Sequence, residues 1–118
     1  TFAIVQKLHE KGIRQVILSN ISRDSFCKLI ALYPNHFRYF DLSGSLADRG
    51  SILGKKRKPF PKYYKKFLKK NRDALASNII FFDDKPDNID GARTIGIDAH
   101  LFCNASGAER VLKQKGLL

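Results

Sequence analysis

The period of the apolar positions changes repeatedly along this chain, and each change marks an element. Phe2, Val5 and Leu8 recur at helical spacing, Ile4 widens the face, and Gly12 stands where a C-cap belongs. Residues 1–11 are therefore predicted to be a helix. "RQVILSN" follows with Val16, Ile17 and Leu18 in a row, which reads as a short buried strand. "SRDSFCKLIALY", residues 22–33, predicts a second helix with Ser22 as N-cap and Pro34 as its stop. Residues 37–42 are expected to be a short strand or an extended piece, and "SGSLADRGSILG" a polar loop. Phe60, Tyr63, Tyr64, Phe67 and Leu68 fall at i, i+3, i+4, i+7 and i+8, the signature of an amphipathic helix. Residues 79–82 give the next strand, 88–94 a short helix closed by Gly96, 98–102 a last strand and 105–115 a last helix.

Strands thus alternate with helices across short connections. That order implies βαβ units and a parallel sheet with helices on its faces. The unbroken apolar runs "VILS" and "IIFF" suit strands buried on both faces. No repeat, linker or second domain is visible, so residues 1–118 are expected to form one domain.

Composition adds three constraints. Hydrophobic residues are 43% of the chain, enough for a core, and no apolar run approaches a membrane span. Cys27 and Cys103 form no disulfide framework or zinc pattern. They are expected to be small buried hydrophobes in a reducing compartment, which points to the cytoplasm. The net charge of +11 is local, because residues 55–72, "KKRKPFPKYYKKFLKKNR", hold ten Lys or Arg and no acid. The lysines Lys62, Lys65, Lys66, Lys69 and Lys70 lie opposite the aromatic stripe, so one reading is a solvated helix face. The other is a surface for an anionic partner, nucleic acid or an acidic protein. "KKRKP" also resembles a short nuclear-targeting run. The aromatics sit at core spacing and suit base stacking poorly. His9, His36 and His100 have no partner at metal-ligand spacing.

The stretch with most chemistry is "IIFFDDKPDNIDGARTIGIDAHLF", where the most apolar run stops at Asp83 and Asp84. In open parallel sheets ligands bind beyond the carboxyl ends of strands. Ser19 and Asn20 end another strand, and a hydroxyl and a backbone N–H there can hold phosphate oxygens. A carboxylate at the end of a strand can hold Mg²⁺, which takes oxygen ligands and keeps several waters. Adjacent strand residues point oppositely, so one of the two aspartates faces such a site. Asn88 either caps the following helix or supports the metal-bound carboxylate. Two carboxylates and a phosphate in one cleft repel, and an ammonium relieves that repulsion. Lys58, held extended before Pro59, is the candidate.

Together these motifs resemble the C-terminal two-thirds of a haloacid dehalogenase (HAD) superfamily core. "VILSN" is similar to that family's second motif, "KPFPKYYKKFL" to its third, and the stretch from Ile79 to Phe102 to its fourth, in family order over nearly the whole chain. The resemblance implies a Rossmann-like three-layer α/β/α fold with a parallel sheet. It implies a hydrolase, most often a Mg²⁺-dependent phosphatase of a small phosphorylated substrate. It assigns Ser19 and Lys58 to catalysis, and Ser19, Asn20 and Lys58 to phosphate binding. It assigns Asp84 to the metal, with Asp83 secondary and Asn88 in support. The family's nucleophile is an aspartate in an Asp-x-Asp motif ending the first strand, where the first carboxylate forms an aspartyl-phosphate and the second acts as acid and base. No such motif occurs here, and Asp24 is the earliest aspartate. In the family the missing strand lies between the "VILS" and "IIFF" strands. The fold is therefore expected to be incomplete at its N-terminus, with the strand supplied by an upstream segment or in trans. The chain alone is expected not to turn over substrate. Only 37 residues separate Asn20 from Lys58, too few for a large cap domain. The alternative is an inactive HAD-like module that binds an anionic partner through its basic helix.

Overall fold

The helices form where the apolar stripes predict them. The structure, a computed structural model, describes residues 2–47 and 57–118. Helix α1 (Phe2–Glu10) buries Leu8 and ends at Gly12, whose positive φ of 74° lets the Ile13 N–H reach back to the Leu8 carbonyl. Helix α2 (Arg23–Leu32) starts at Ser22, whose hydroxyl accepts the Ser25 N–H, and it stops before Pro34. Helix α4 (Pro61–Lys70) buries Tyr63, Tyr64 and Phe67 and leaves its lysines outward. Helices α5 (Pro86–Thr94) and α6 (Ala105–Gln114) complete the set, together with a one-turn helix α3 (Pro34–Phe37).

The strands pair in parallel, as their unbroken apolar runs require. Strand β1 (Leu18–Ser19) pairs with β2 (Leu46–Ala47), and β3 (Ile80–Asp83) pairs with β4 (Asp98–Leu101) over four residues. The fold is therefore of the α/β class with parallel strands. The two pairs are not hydrogen-bonded to each other. One buried cluster joins Tyr64, Ile89, Ala92, Ile97 and Ala99, and a second joins Leu46, Tyr63 and Phe67. Leu18 and Ile79 pack against both, so the cores meet where β1 and β3 approach.

Four expectations are corrected. Residues 37–42 form no strand: Pro34 starts a helical turn, and the Phe40 N–H closes onto the Phe37 carbonyl. The partner of β1 is Leu46–Ala47, inside the segment expected to be a polar loop; the rest of that loop, 48–54, lies outside the described residues. Strand β1 is also shorter than "RQVILSN", because the Ile17 N–H is taken by the Ser45 hydroxyl at 2.8 Å instead of a ladder carbonyl. Cys27 and Cys103 are exposed and free, not buried. Cys27 sits on α2, which buries none of its residues, and Cys103 lies between β4 and α6.

Candidate active site

The ends of β1 and β3 are held together by one lysine. Lys58 precedes α4, and its backbone is clamped by Asn20: the Lys58 N–H donates to Asn20 Oδ1 at 2.8 Å, and Asn20 Nδ2 donates to the Lys58 carbonyl at 3.1 Å. On the far side Pro59 lies against α5. A Cβ on Gly91 would stand 2.3 Å from the Pro59 carbonyl oxygen, so glycine is what lets α5 approach. Between these two supports the side chain runs inward. Its Nζ donates to the Leu18 carbonyl at 2.9 Å and to Asp83 Oδ2 at 2.5 Å, and lies 5.4 Å from the centre of the Phe81 ring. Lys58 and Asp83 are 7% and 8% exposed, so this is a buried ion pair.

Asp83 is the last residue of β3 and has no unused oxygen. Oδ1 accepts the Lys85 N–H at 2.9 Å, and Oδ2 also accepts Asn88 Nδ2 at 3.1 Å. Burial alone would raise its pKa. The Lys58 ammonium, the Lys85 N–H and the Asn88 amide outweigh burial and hold the carboxyl below the usual range. Asn88 lies in the first turn of α5, and its amide goes to Asp83 rather than to a cap. Tyr64 fixes that turn from below by donating to the Asn88 carbonyl at 2.6 Å. Burial, then Asp83 and Tyr63, push the Tyr64 phenol upward, so it stays protonated as a donor.

Asp84, one residue beyond the strand, is exposed and makes no hydrogen bond or ion pair among the described residues. Both its oxygens are open, as are those of Asp87, which lines the cleft beside the Lys58–Asp83 pair, and a hard oxygen donor at a strand end suits Mg²⁺. No group of three His, Cys, Asp or Glu side chains converges among the described residues. Ser19 ends β1; its Oγ accepts the Ile21 N–H at 3.2 Å, which leaves its O–H to donate. The Asn20 side chain is fully engaged by Lys58, leaving its backbone as what it can present to an anion. A cleft of about 380 Å³ opens beside the pair, lined by Asn20, Arg57, Lys58, Pro59, Lys85, Pro86, Asp87 and Asn88.

The structure thus brings Lys58, Asp83, Asn88 and Asn20 into one cluster and leaves Ser19 and Asp84 at the strand ends nearby. The sequence reading gave no role to Gly91, Tyr64 or the Leu18 carbonyl. Gly91 stands within the fourth-motif stretch, but only a neighbouring backbone explains it. The aromatics of α4 are buried and closed to base stacking. Lys70 donates to the Ser45 carbonyl at 2.7 Å, and Lys55 and Lys56 lie outside the described residues. No helix among the described residues is long and apolar enough to cross a membrane. Compared with known families, residues 1–96 match the family model of haloacid dehalogenase-like hydrolases.

Proposed function

This chain belongs to the haloacid dehalogenase-like hydrolases, and we propose that its cluster serves a Mg²⁺-dependent phosphatase of small phosphorylated substrates. The observation that carries the reading is the buried Lys58–Asp83 pair, clamped by Asn20 and Asn88 at the ends of two parallel strands. A buried ion pair is costly to build unless hydrogen bonds support it; here both Asp83 oxygens and two of the three Lys58 donors are engaged. An ammonium has three donors; two are used, and the third is available to a phosphoryl oxygen. The Ser19 hydroxyl and the backbone at Asn20 hold other phosphoryl oxygens. Asp84 would hold Mg²⁺, with Asp83 secondary and Asn88 steadying it; when bound, the ion supplies Lewis-acid neutralisation of phosphoryl charge. Asp83 keeps Lys58 in place and prevents its charge from being spent on the wrong partner.

The nucleophilic aspartate comes from outside this chain, on a strand that fits between β1 and β3. What supports this is the pattern of backbone groups. The Ile17 carbonyl faces β2, where it accepts the Leu46 N–H. The next carbonyl, Leu18, therefore points away from β2. The Ile79 and Asp83 carbonyls face β4, accepting from Asp98 and Phe102, so those of Ile80 and Phe82 point away from it. Among the described residues the β3–β4 pair thus keeps an edge to offer, while on β1 the Leu18 carbonyl is taken by Lys58 Nζ. Such a strand, from an upstream segment or a second chain, would place its terminal carboxylate beside Ser19, Lys58 and Asp84.

The test uses p-nitrophenyl phosphate. Residues 1–118 alone give no turnover, and a form carrying an apolar strand that ends in aspartate hydrolyses it with Mg²⁺. In that form Lys58→Ala and Asp84→Asn each lower kcat by roughly 100-fold or more, the scale of losing one electrostatic contact in a transition state. Turnover by residues 1–118 alone, or activity indifferent to both substitutions, overturns the proposal.

A further inference from the structure

The 380 Å³ cleft carries two cations, Arg57 and Lys85, besides the lysine of the buried pair. Three cations line it, Arg57, Lys58 and Lys85, against the single acid Asp87. Lys58 is already answered by Asp83 beneath it. Arg57 and Lys85 are exposed, and neither forms an ion pair among the described residues. Their placement is built rather than incidental. The Arg57 guanidinium lies over the Phe60 ring at 5.5 Å, which holds it at the mouth beside Lys58. The Lys85 backbone N–H is tied to Asp83 Oδ1, so its side chain starts from a fixed point on the same cleft. Both cations line one cleft with Asp87 as the acid among its lining residues, so an anionic group bound there is attracted by both. The volume suits a small molecule and is too small for a folded partner.

We propose that Arg57 and Lys85 select phosphate monoesters that carry a second anionic group, a carboxylate or a second phosphate, over monoesters with an uncharged end. The inference rests on the phosphatase reading, since it takes the first phosphate to lie at Lys58. The second group sits at the cleft mouth between Arg57 and Lys85, in solvent reach, so its contribution is moderate and falls with salt.

Matched ligands test it. Propyl phosphate and 3-phosphonooxypropanoate differ only in a terminal methyl or carboxylate, and propane-1,3-diyl bisphosphate replaces the carboxylate by phosphate. Calorimetric titration of the form that carries the added strand, its terminal aspartate replaced by asparagine so that no ligand is turned over, in Mg²⁺ at low salt is expected to give both doubly anionic ligands roughly tenfold lower Kd than propyl phosphate, as two exposed ion pairs allow. Arg57→Gln with Lys85→Gln brings the three Kd values together, weakening the doubly anionic ligands roughly tenfold more than propyl phosphate. A preference for one of the doubly anionic ligands identifies which second group the mouth takes. Equal affinity for charged and uncharged ends, or an advantage that survives the double substitution, overturns the inference while the phosphatase reading stands. No binding of any of the three ligands, or binding of all three that Lys58→Ala leaves unchanged, overturns the phosphatase reading and this inference with it.

Discussion

Asp83 and Asp84 are chemically identical neighbours with opposite surroundings. Asp83 ends the β3 ladder opposite Leu101 and turns inward to three donors, while Asp84 is already beyond the strand and faces water. The alternation of side chains along a strand predicts that only one turns in, but the residue types do not say which. Asp83 and Lys58 depend on each other, because each alone would be a buried uncompensated charge. Asp83→Ala is therefore expected to destabilise the fold by about 3 kcal/mol, the scale of breaking a buried pair. Lys58→Met with Asp83→Leu together should recover most of that loss, since two apolar side chains of similar size bury no charge. Urea unfolding of the two variants checks both statements, and a double variant no more stable than Asp83→Ala would contradict them.

Among elements, α5 carries most of the site. It presents Asn88 to Asp83, receives Tyr64 at its first turn, and lies against Pro59 at Gly91. In an open helix Gly→Ala would gain about 1 kcal/mol. Here the new Cβ would overlap a backbone oxygen at 2.3 Å, which no side-chain rotation relieves. Gly91→Ala is expected to lower stability by about 1–3 kcal/mol, as overpacking does. It should also weaken phosphate binding by displacing Lys58. Thermal melting and calorimetric titration with inorganic phosphate measure the two effects. The helix periods are legible in sequence because each helix hides one stripe. The β1 partner is not, because Leu46–Ala47 pairs over only two residues amid polar neighbours, and Ser45 and Asp41 set its position through side-chain and turn bonds.

At the scale of the molecule, charge sets the response to acid. Asp41, Asp83 and Asp98 all have depressed pKa values. For Asp41 the Ser43 hydroxyl and then Arg14 bring it to about 2. For Asp98 the main cause is the Lys115 ammonium, with His100 adding to it. A carboxyl depressed by folding stabilises the native state above its unfolded value of about 3.9, and that contribution is lost as pH falls through the folded value. Stability should therefore be level from about pH 7 to 5 and fall steeply between about pH 4 and 2. Protonating the 11 acids also leaves the 22 Lys and Arg unopposed, so the net charge of +11 grows and repels itself. Added salt should restore part of the lost stability in acid by screening that repulsion. Melting temperatures across pH and salt test this; a profile that improves toward pH 3 would refute it.

Residue order alone determined the alternation of strands and helices, the parallel pairing it requires, the local basic helix, and the polar groups at two strand ends. It could do so because apolar period and strand termini are local properties of the chain. Tertiary structure decided which aspartate is buried, that Asn20 clamps Lys58 instead of facing a ligand through its side chain, and that Gly91 must have no side chain. It also decided that, among the described residues, β1 and β3 share no ladder hydrogen bond and are joined instead through the Lys58 ammonium. Each of these depends on groups far apart in sequence meeting at hydrogen-bond distance, and no local pattern records such a meeting.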